Sequence, residues 1–220
     1  MRQPVLAVFT APIPNTVCVA GVYPPLRNDD IASCTSAKVR TEKYCAWKLL
    51  EYALLQAFGK DMREVSFTKS PDGKWNCDFC YFSLSHSENM VAVAVADCPV
   101  GVDIEKIGNL KNQSRVAEKI LSETELAEYK RIALCDDSAK EFLLDVWTKK
   151  ESLFKLDGKG GFIPHCVSAF TDGVFTRKIN AEDGVYFLSV ACDIADFCGD
   201  LGGKSVADLA KFYENCPFLE

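Results

Sequence analysis

Apolar positions recur along the chain at two spacings, and the switch between them outlines the elements. Residues 36–58, "SAKVRTEKYCAWKLLEYALLQAF", repeat every three or four positions, which predicts one long helix capped by Thr35 or Ser36 and stopped by Gly59. A second helix is expected to start at "SETE", where Ser122 and Glu125 have capping-box spacing. A third starts at "SAKE", where Ser138 and Glu141 repeat that box, and ends near "LDGKGG". Between them the period falls to two. "NMVAVAVAD" alternates Val91, Val93 and Val95 with Ala92, Ala94 and Ala96, so one face fills a core while the other admits a helix or backbone at close range. "VYFLSVACD" at 185–193 has similar apolar character. The N-terminal "MRQPVLAVFTAPIPN" is faintly like a leader, but Pro4, Pro12 and Pro14 interrupt it, and a first β-strand is the better reading.

Helix then strands, followed by helices then strands, predicts an α+β protein of two halves joined near residue 101. The expected domains are residues 1–101, an N-terminal α+β half, and 102–220, a C-terminal α+β half with a C-terminal extension.

The stretch "PVGVDIEKI" at 99–107 places Asp103 and Glu105 on alternating positions. On a strand both side chains leave from one face and repel unless a cation sits between them. The residues mark either an exposed strand end or half of a metal site. On the third helix, Phe142, Leu143, Val146, Trp147, Leu153 and Phe154 cover one apolar sector, with Leu144 on its edge. Asp145, Thr148, Lys149 and Ser152 lie opposite, where solvent is expected. Glu151 falls inside the apolar sector, where a carboxylate is costly without a partner. Lys155, four residues on, offers an intrahelical salt bridge. The rival explanation is a divalent cation shared by Asp103, Glu105 and Glu151, and three carboxylates suit Mg²⁺, with Mn²⁺ also able to occupy an all-oxygen site. Unrelated surface acids are the alternative. In "FSLSHS" at 82–87, Ser85 and His86 form a pair able to hold a phosphate at a strand start, and no G-x-S-x-G nucleophile elbow is present.

Composition narrows the function. The 220 residues carry a net charge of −6, which argues against a general nucleic-acid binder, and no apolar run is long enough to span a bilayer. Local basic clusters remain: Lys38, Arg40 and Lys43, and Lys149, Lys150, Lys155 and Lys159. The 11 cysteines are scattered like reduced thiols of a cytoplasmic protein, and "CDFC" at 77–80 lacks the second ligand pair a structural zinc needs.

The segments "FSLSHS", "VGVDIEKI" and "WTKKESLFKLDGKGGF", in this order and spacing, resemble the Sfp-type 4′-phosphopantetheinyl transferases over about residues 70–165. The resemblance implies a pseudo-two-fold pair of similar α+β halves with the active site at the seam. It implies transfer of the phosphopantetheine arm of coenzyme A to a serine of an apo acyl or peptidyl carrier protein, releasing adenosine 3′,5′-bisphosphate. By the family pattern Asp103, Glu105 and Glu151 would surround Mg²⁺, and Lys155 would contact the phosphates and steady the leaving group. Ser85 and His86 would bind the nucleotide end. Arg40 matches a basic phosphate contact, and Glu151 or a metal-bound water would be the base. Gly73-Lys74-Trp75 stands where many members have Gly-Lys-Pro, with Lys74 retained as a coenzyme A contact. The acidic and arginine-rich stretch usual before the first helix is poorly matched by "RNDDIASCTS". The segment 109–121, with Leu110, Lys111, Arg115 and Lys119, is either a docking face for an acidic carrier or a solvated loop and helix face. Fatty-acid, polyketide and nonribosomal-peptide carriers all fit, and a pseudo-dimer with its own seam is expected to be monomeric. A different Mg²⁺-dependent phosphoryl enzyme and a non-catalytic carrier-binding protein are the competing readings.

Overall fold

The computed structural model describes residues 5–108, 112–133, 138–158, 161–193 and 206–217. Its architecture is α+β. Strand β1 (Leu6–Pro12) is followed by helix α1 (Pro25–Ala32) and the long helix α2 (Ala37–Phe58). Strands β2 (Phe67–Lys69) and β3 (Trp75–Cys77) form a small hairpin, and β4 (Tyr81–Ser87) and β5 (Met90–Ala96) a larger one. Strand β6 (Val100–Lys106) leads into helices α3 (Gln113–Ile120), α4 (Glu123–Ile132) and α5 (Ser138–Asp157). Strands β7 (Val174–Ala181) and β8 (Gly184–Cys192), a short helix α6 (Val206–Leu209) and β9 (Lys211–Tyr213) complete the order.

The two main sheets repeat one topology. In the first, the hairpin β4–β5 lies against β1 in the order β4-β5-β1-β9; in the second, the hairpin β7–β8 lies against β6 in the order β6-β8-β7. Each unit is a strand, a long helix packed on the sheet, and a hairpin whose second strand pairs antiparallel with the first strand. Strand β9 runs parallel to β1, so the C-terminal segment returns to the first sheet.

Strand β5 joins the units because both its faces are buried. Val91, Val93 and Val95 pack with Trp47, Leu50 and Leu54 of α2, while Ala92, Ala94 and Ala96 pack against Val102, Ile104, Leu188 and Val190. The small face therefore admits a second sheet, as its alternation indicates. Helix α2 starts where its cap predicts: the Ser36 hydroxyl accepts from Val39 N at 3.4 Å, and Gly59 ends it at φ 67°.

Helix α5 corrects the sequence reading. Thr148 and Ser152, expected in solvent, are fully buried, and so is Lys150. That face lies on β6 and β8, where Ser189 Oγ donates to Thr148 Oγ1 at 2.8 Å and Thr148 donates to Leu144 O at 3.0 Å. Small hydroxylated residues are needed because the helix lies very close to Gly101: a Cβ there would stand 1.9 Å from Ser152 O. Trp147 and Phe154, assigned to the apolar sector, are instead half-buried against Phe162. Ser138 lies inside the helix rather than capping it, and Glu141 accepts from Lys178 Nζ at 2.8 Å.

The capping box at Ser122 and Glu125 forms in full, and Glu125 does more. It is fully buried, pairs with Lys150 Nζ at 2.5 Å, and accepts from Ala169 N at 2.8 Å. Lys150 also donates to Ile120 O and Pro164 O, each at 2.9 Å, so both buried charges are satisfied and α4 is fastened to α5. Helix α1 places the buried Arg27 guanidinium over Trp47 and Trp75, with Asp30 2.6 Å away.

Among the described residues Cys77 and Cys80 are free thiols, and no helix is long and apolar enough to cross a membrane. Cys77 and Cys80 lie 3.8 Å apart, sulfur to sulfur.

Two substitutions test this packing. Gly101→Ala should cost about 3 kcal/mol or more, because backbone must move to accept the methyl, and thermal or urea denaturation reads it. Lys150→Met should destabilise by about 3–5 kcal/mol by stranding the Glu125 charge, and a further Glu125→Met change should recover only part of that loss, because Ala169 N and Ser122 N then lose their acceptor.

Candidate active site at the seam between the two sheets

The site forms where β4, β6 and the C-terminal half of α5 meet. Successive side chains alternate across a strand, so Asp103 and Glu105 leave one face of β6, the face turned to β4. Asp103 is only 4% exposed, which rules out the exposed strand end. Ser85 Oγ donates to Asp103 Oδ1 at 2.8 Å, and Ser87 Oγ donates to Glu105 Oε2 at 2.8 Å. The Trp147 indole lies near enough to Glu105 to favour its charged form, which gives a reason for an acid and a tryptophan to stand together here.

Lys155 departs from the intrahelical bridge that its spacing suggests. Its ammonium reaches across the seam to Asp103 Oδ1 at 2.6 Å and to Ser85 Oγ at 3.0 Å. The close approach of α5 at Gly101 makes this reach attainable. Glu151, one turn earlier, is half-buried beside the same group. Burial first, and then the charges of Asp103 and Glu105, push its carboxyl above the usual range despite Lys155. Glu105 is pushed the same way, by burial and by Asp103, against a hydrogen bond from Ser87 and the nearby Trp147 indole.

Three acids and one ammonium leave this corner negatively charged. Asp103 Oδ2 is buried and has no hydrogen-bond partner among the described residues. An orphaned carboxylate oxygen and two acids held above their usual range fit a hard divalent cation, which oxygen ligands suit. Among the described residues no three of His, Cys, Asp and Glu close into a ready-made ligand set. Lys155 already occupies Asp103 Oδ1, and Ser87 occupies Glu105 Oε2.

The remaining candidates are spread around this corner. His86 is 38% exposed, with Nδ1 3.5 Å from Glu42 on α2; burial holds its imidazole below the ordinary value, opposed by Glu42 and favoured by Lys155. Ser85, adjacent to it in sequence, points instead into the seam, and its hydroxyl is fully used by Asp103, Lys155 and Ile104 N. Lys74 Nζ donates to Lys155 O at 2.7 Å, bracing the C-terminal end of α5, and burial lowers its pKa. Arg40 Nη2 donates to Cys34 O at 2.8 Å, while its buried Nε has no partner among the described residues. Glu42, two residues on, is the α2 side chain that meets His86.

A cavity of about 350 Å³ opens beside Lys155, lined by Lys74, Trp75, Phe82, Ser83 and Phe154, and a second of about 510 Å³ shares its Lys74–Trp75 wall. Trp75 thus lines both cavities. Arg115 and Lys119 of α3 are exposed; Leu110, Lys111 and Lys159 lie outside the described residues. Sequence reasoning passed over Ser83, Ser87 and Glu42. The signal for the serines was present: "SLSHS" repeats a hydroxyl at every second position, the period of a strand face.

A model of the 4′-phosphopantetheinyl transferase superfamily matches residues 99–197, which include β6, α5 and their acids. The 4′-phosphopantetheinyl transferase gsp of Aneurinibacillus migulanus is 33% identical over 117 residues, 53% of this chain and 48% of its own. A 4′-phosphopantetheinyl transferase of Bacillus subtilis is 28% identical over 181 residues, 73% of this chain and 78% of its own. The 4′-phosphopantetheinyl transferase Sfp of Bacillus subtilis strain 168 is 27% identical over 119 residues, 53% and 51% of the two chains. The match thus spans about half the length of gsp and of Sfp. With its matched segment carrying the seam acids and Lys155, this chain is similar to the 4′-phosphopantetheinyl transferase superfamily, and to relatives of the Sfp type.

Proposed function

We propose that this protein transfers the 4′-phosphopantetheine group of coenzyme A to a serine of an apo acyl or peptidyl carrier protein. The observation that carries the reading is the cross-seam contact of Lys155 with Asp103, beside a buried carboxylate oxygen that no donor among the described residues satisfies. Similarity to the 4′-phosphopantetheinyl transferases suggests the reaction class, and this geometry supports the same residues as its machinery.

In the proposed reaction the carrier serine oxygen bonds to the phosphorus that bears the pantetheine arm. The bond from that phosphorus to the bridging oxygen breaks, and adenosine 3′,5′-bisphosphate departs with the bond electrons. Mg²⁺, or Mn²⁺ in its place, held by Asp103, Glu105 and Glu151, would neutralise pyrophosphate charge. Lys155 stands where its ammonium can steady the oxygen that leaves. Glu151, or a water held beside the carboxylates, would take the serine proton. Lys74 and the cavity wall it shares with Trp75 would receive the nucleotide end of coenzyme A, with His86 and Arg40 toward its phosphates.

The exposed Arg115 and Lys119 offer an acidic carrier a basic face. Fatty-acid, polyketide and nonribosomal-peptide carriers all meet this requirement. The protein is proposed to act as a cytoplasmic monomer, since its own two units supply both sides of the seam.

Intact-protein mass spectrometry of apo carriers incubated with the enzyme, coenzyme A and Mg²⁺ should show a gain of one phosphopantetheine, lost with EDTA or with a carrier lacking the serine. Glu151→Gln should slow that gain by about a hundredfold or more while the thermal midpoint holds. Near-normal turnover by the folded variant would remove Glu151 from the chemistry. Hydrolysis of simple phosphodiesters without coenzyme A would favour a different phosphoryl enzyme.

A further inference from the structure

Strands β4 and β6 belong to different sheets, yet they run side by side in register. The hydroxyls of Ser83, Ser85 and Ser87 accept from the backbone amides of Val102, Ile104 and Lys106 at 3.0, 3.3 and 3.2 Å. Side chains thereby do what a backbone ladder does inside a sheet. A hydroxyl has one proton to give, and an amide can only donate, so the amide fixes where that proton goes. For Ser85 and Ser87 it goes to a carboxylate, Asp103 and Glu105 respectively. The position matching Ser83 in this register is Gly101, which has no side chain to receive it.

We propose that Ser87 is a positioning residue for Glu105, and that the three-serine ladder sets the register of the seam. The proposal rests on the reading of Glu105 as a cation ligand. Pinned through Oε2 by Ser87, the Glu105 side chain keeps one orientation beside Asp103 instead of turning out to solvent. Ser83 makes the same kind of amide contact with no carboxylate attached, so it separates the two roles. Removing Ser83 disturbs the ladder alone; removing Ser87 disturbs the ladder and frees Glu105.

The test is Mn²⁺ binding by the full chain with coenzyme A at a concentration shown to saturate each variant, since Ser83 lines the cavity beside Lys155, read as loss of the free Mn²⁺ EPR signal, with thermal midpoints measured in parallel. Ser87→Ala should weaken Mn²⁺ binding by about tenfold, while Ser87→Thr, which keeps the hydroxyl, and Ser83→Ala stay within about twofold of the parent protein. Should alanine at 87 fail to fold, Ser87→Cys, close in size but a weak donor, carries the same expectation. Parent-like Mn²⁺ affinity in the folded Ser87 variant overturns the proposal. An equal loss in Ser83→Ala overturns it too, because the effect would then belong to the seam. A parent protein that binds coenzyme A but takes up no Mn²⁺ refutes the cation reading itself, and this proposal with it.

Discussion

The contact between the Lys155 ammonium and Asp103 is the constraint on which the rest of this structure turns. A buried carboxylate is tolerable only when paired and hydrogen-bonded, and Asp103, almost sealed from solvent, has Lys155 and Ser85 on one oxygen. To make that contact, a helix from the second unit must reach a strand edge that the first unit also touches. Three elements are therefore tied at one carboxylate, while its second oxygen is left without a partner among the described residues.

Two close approaches make the contact attainable. Helix α5 comes down on β6 where Gly101 leaves room, with Thr148 and Ser152 as thin, hydrogen-bonded spacers against the sheet. Strand β4 comes against β6 through serine hydroxyls instead of a ladder. Each replaces bulk with small polar groups, and each sacrifices apolar burial at the seam. The buried Glu125–Lys150 pair then fixes α4 on α5 from behind, so the face that carries Glu151 and Lys155 has little freedom to roll.

Much of this was legible in the sequence wherever a single local rule decides. The cap and stop of α2, the two faces of β5 and the shared face of Asp103 and Glu105 follow from spacing alone. Helix α5 was misread because its wheel treats Thr148 and Ser152 as solvent-facing, whereas the sheet beneath selects for small side chains with a hydrogen-bond partner. The Lys155 spacing favoured Glu151, yet the partner is Asp103, brought near by a packing distance that the sequence shows only as the single residue Gly101. Helix α1 and strand β7 went unread for related reasons. Helix α1 depends on Arg27 stacking between two tryptophans remote in sequence, and β7 is an edge strand whose exposed positions blur its alternation. Ser85 was assigned to a ligand on the strength of its neighbour His86, although on a strand the two point to opposite faces.

The most direct test of this account is anomalous diffraction from crystals grown with Mn²⁺ and coenzyme A. The account predicts an Mn²⁺ peak at the seam, about 2 Å from Asp103 Oδ2, with Glu105 and Glu151 turned toward it and the pyrophosphate alongside. Coenzyme A bound with no ion at Asp103, and Lys155 alone meeting the pyrophosphate, would contradict it.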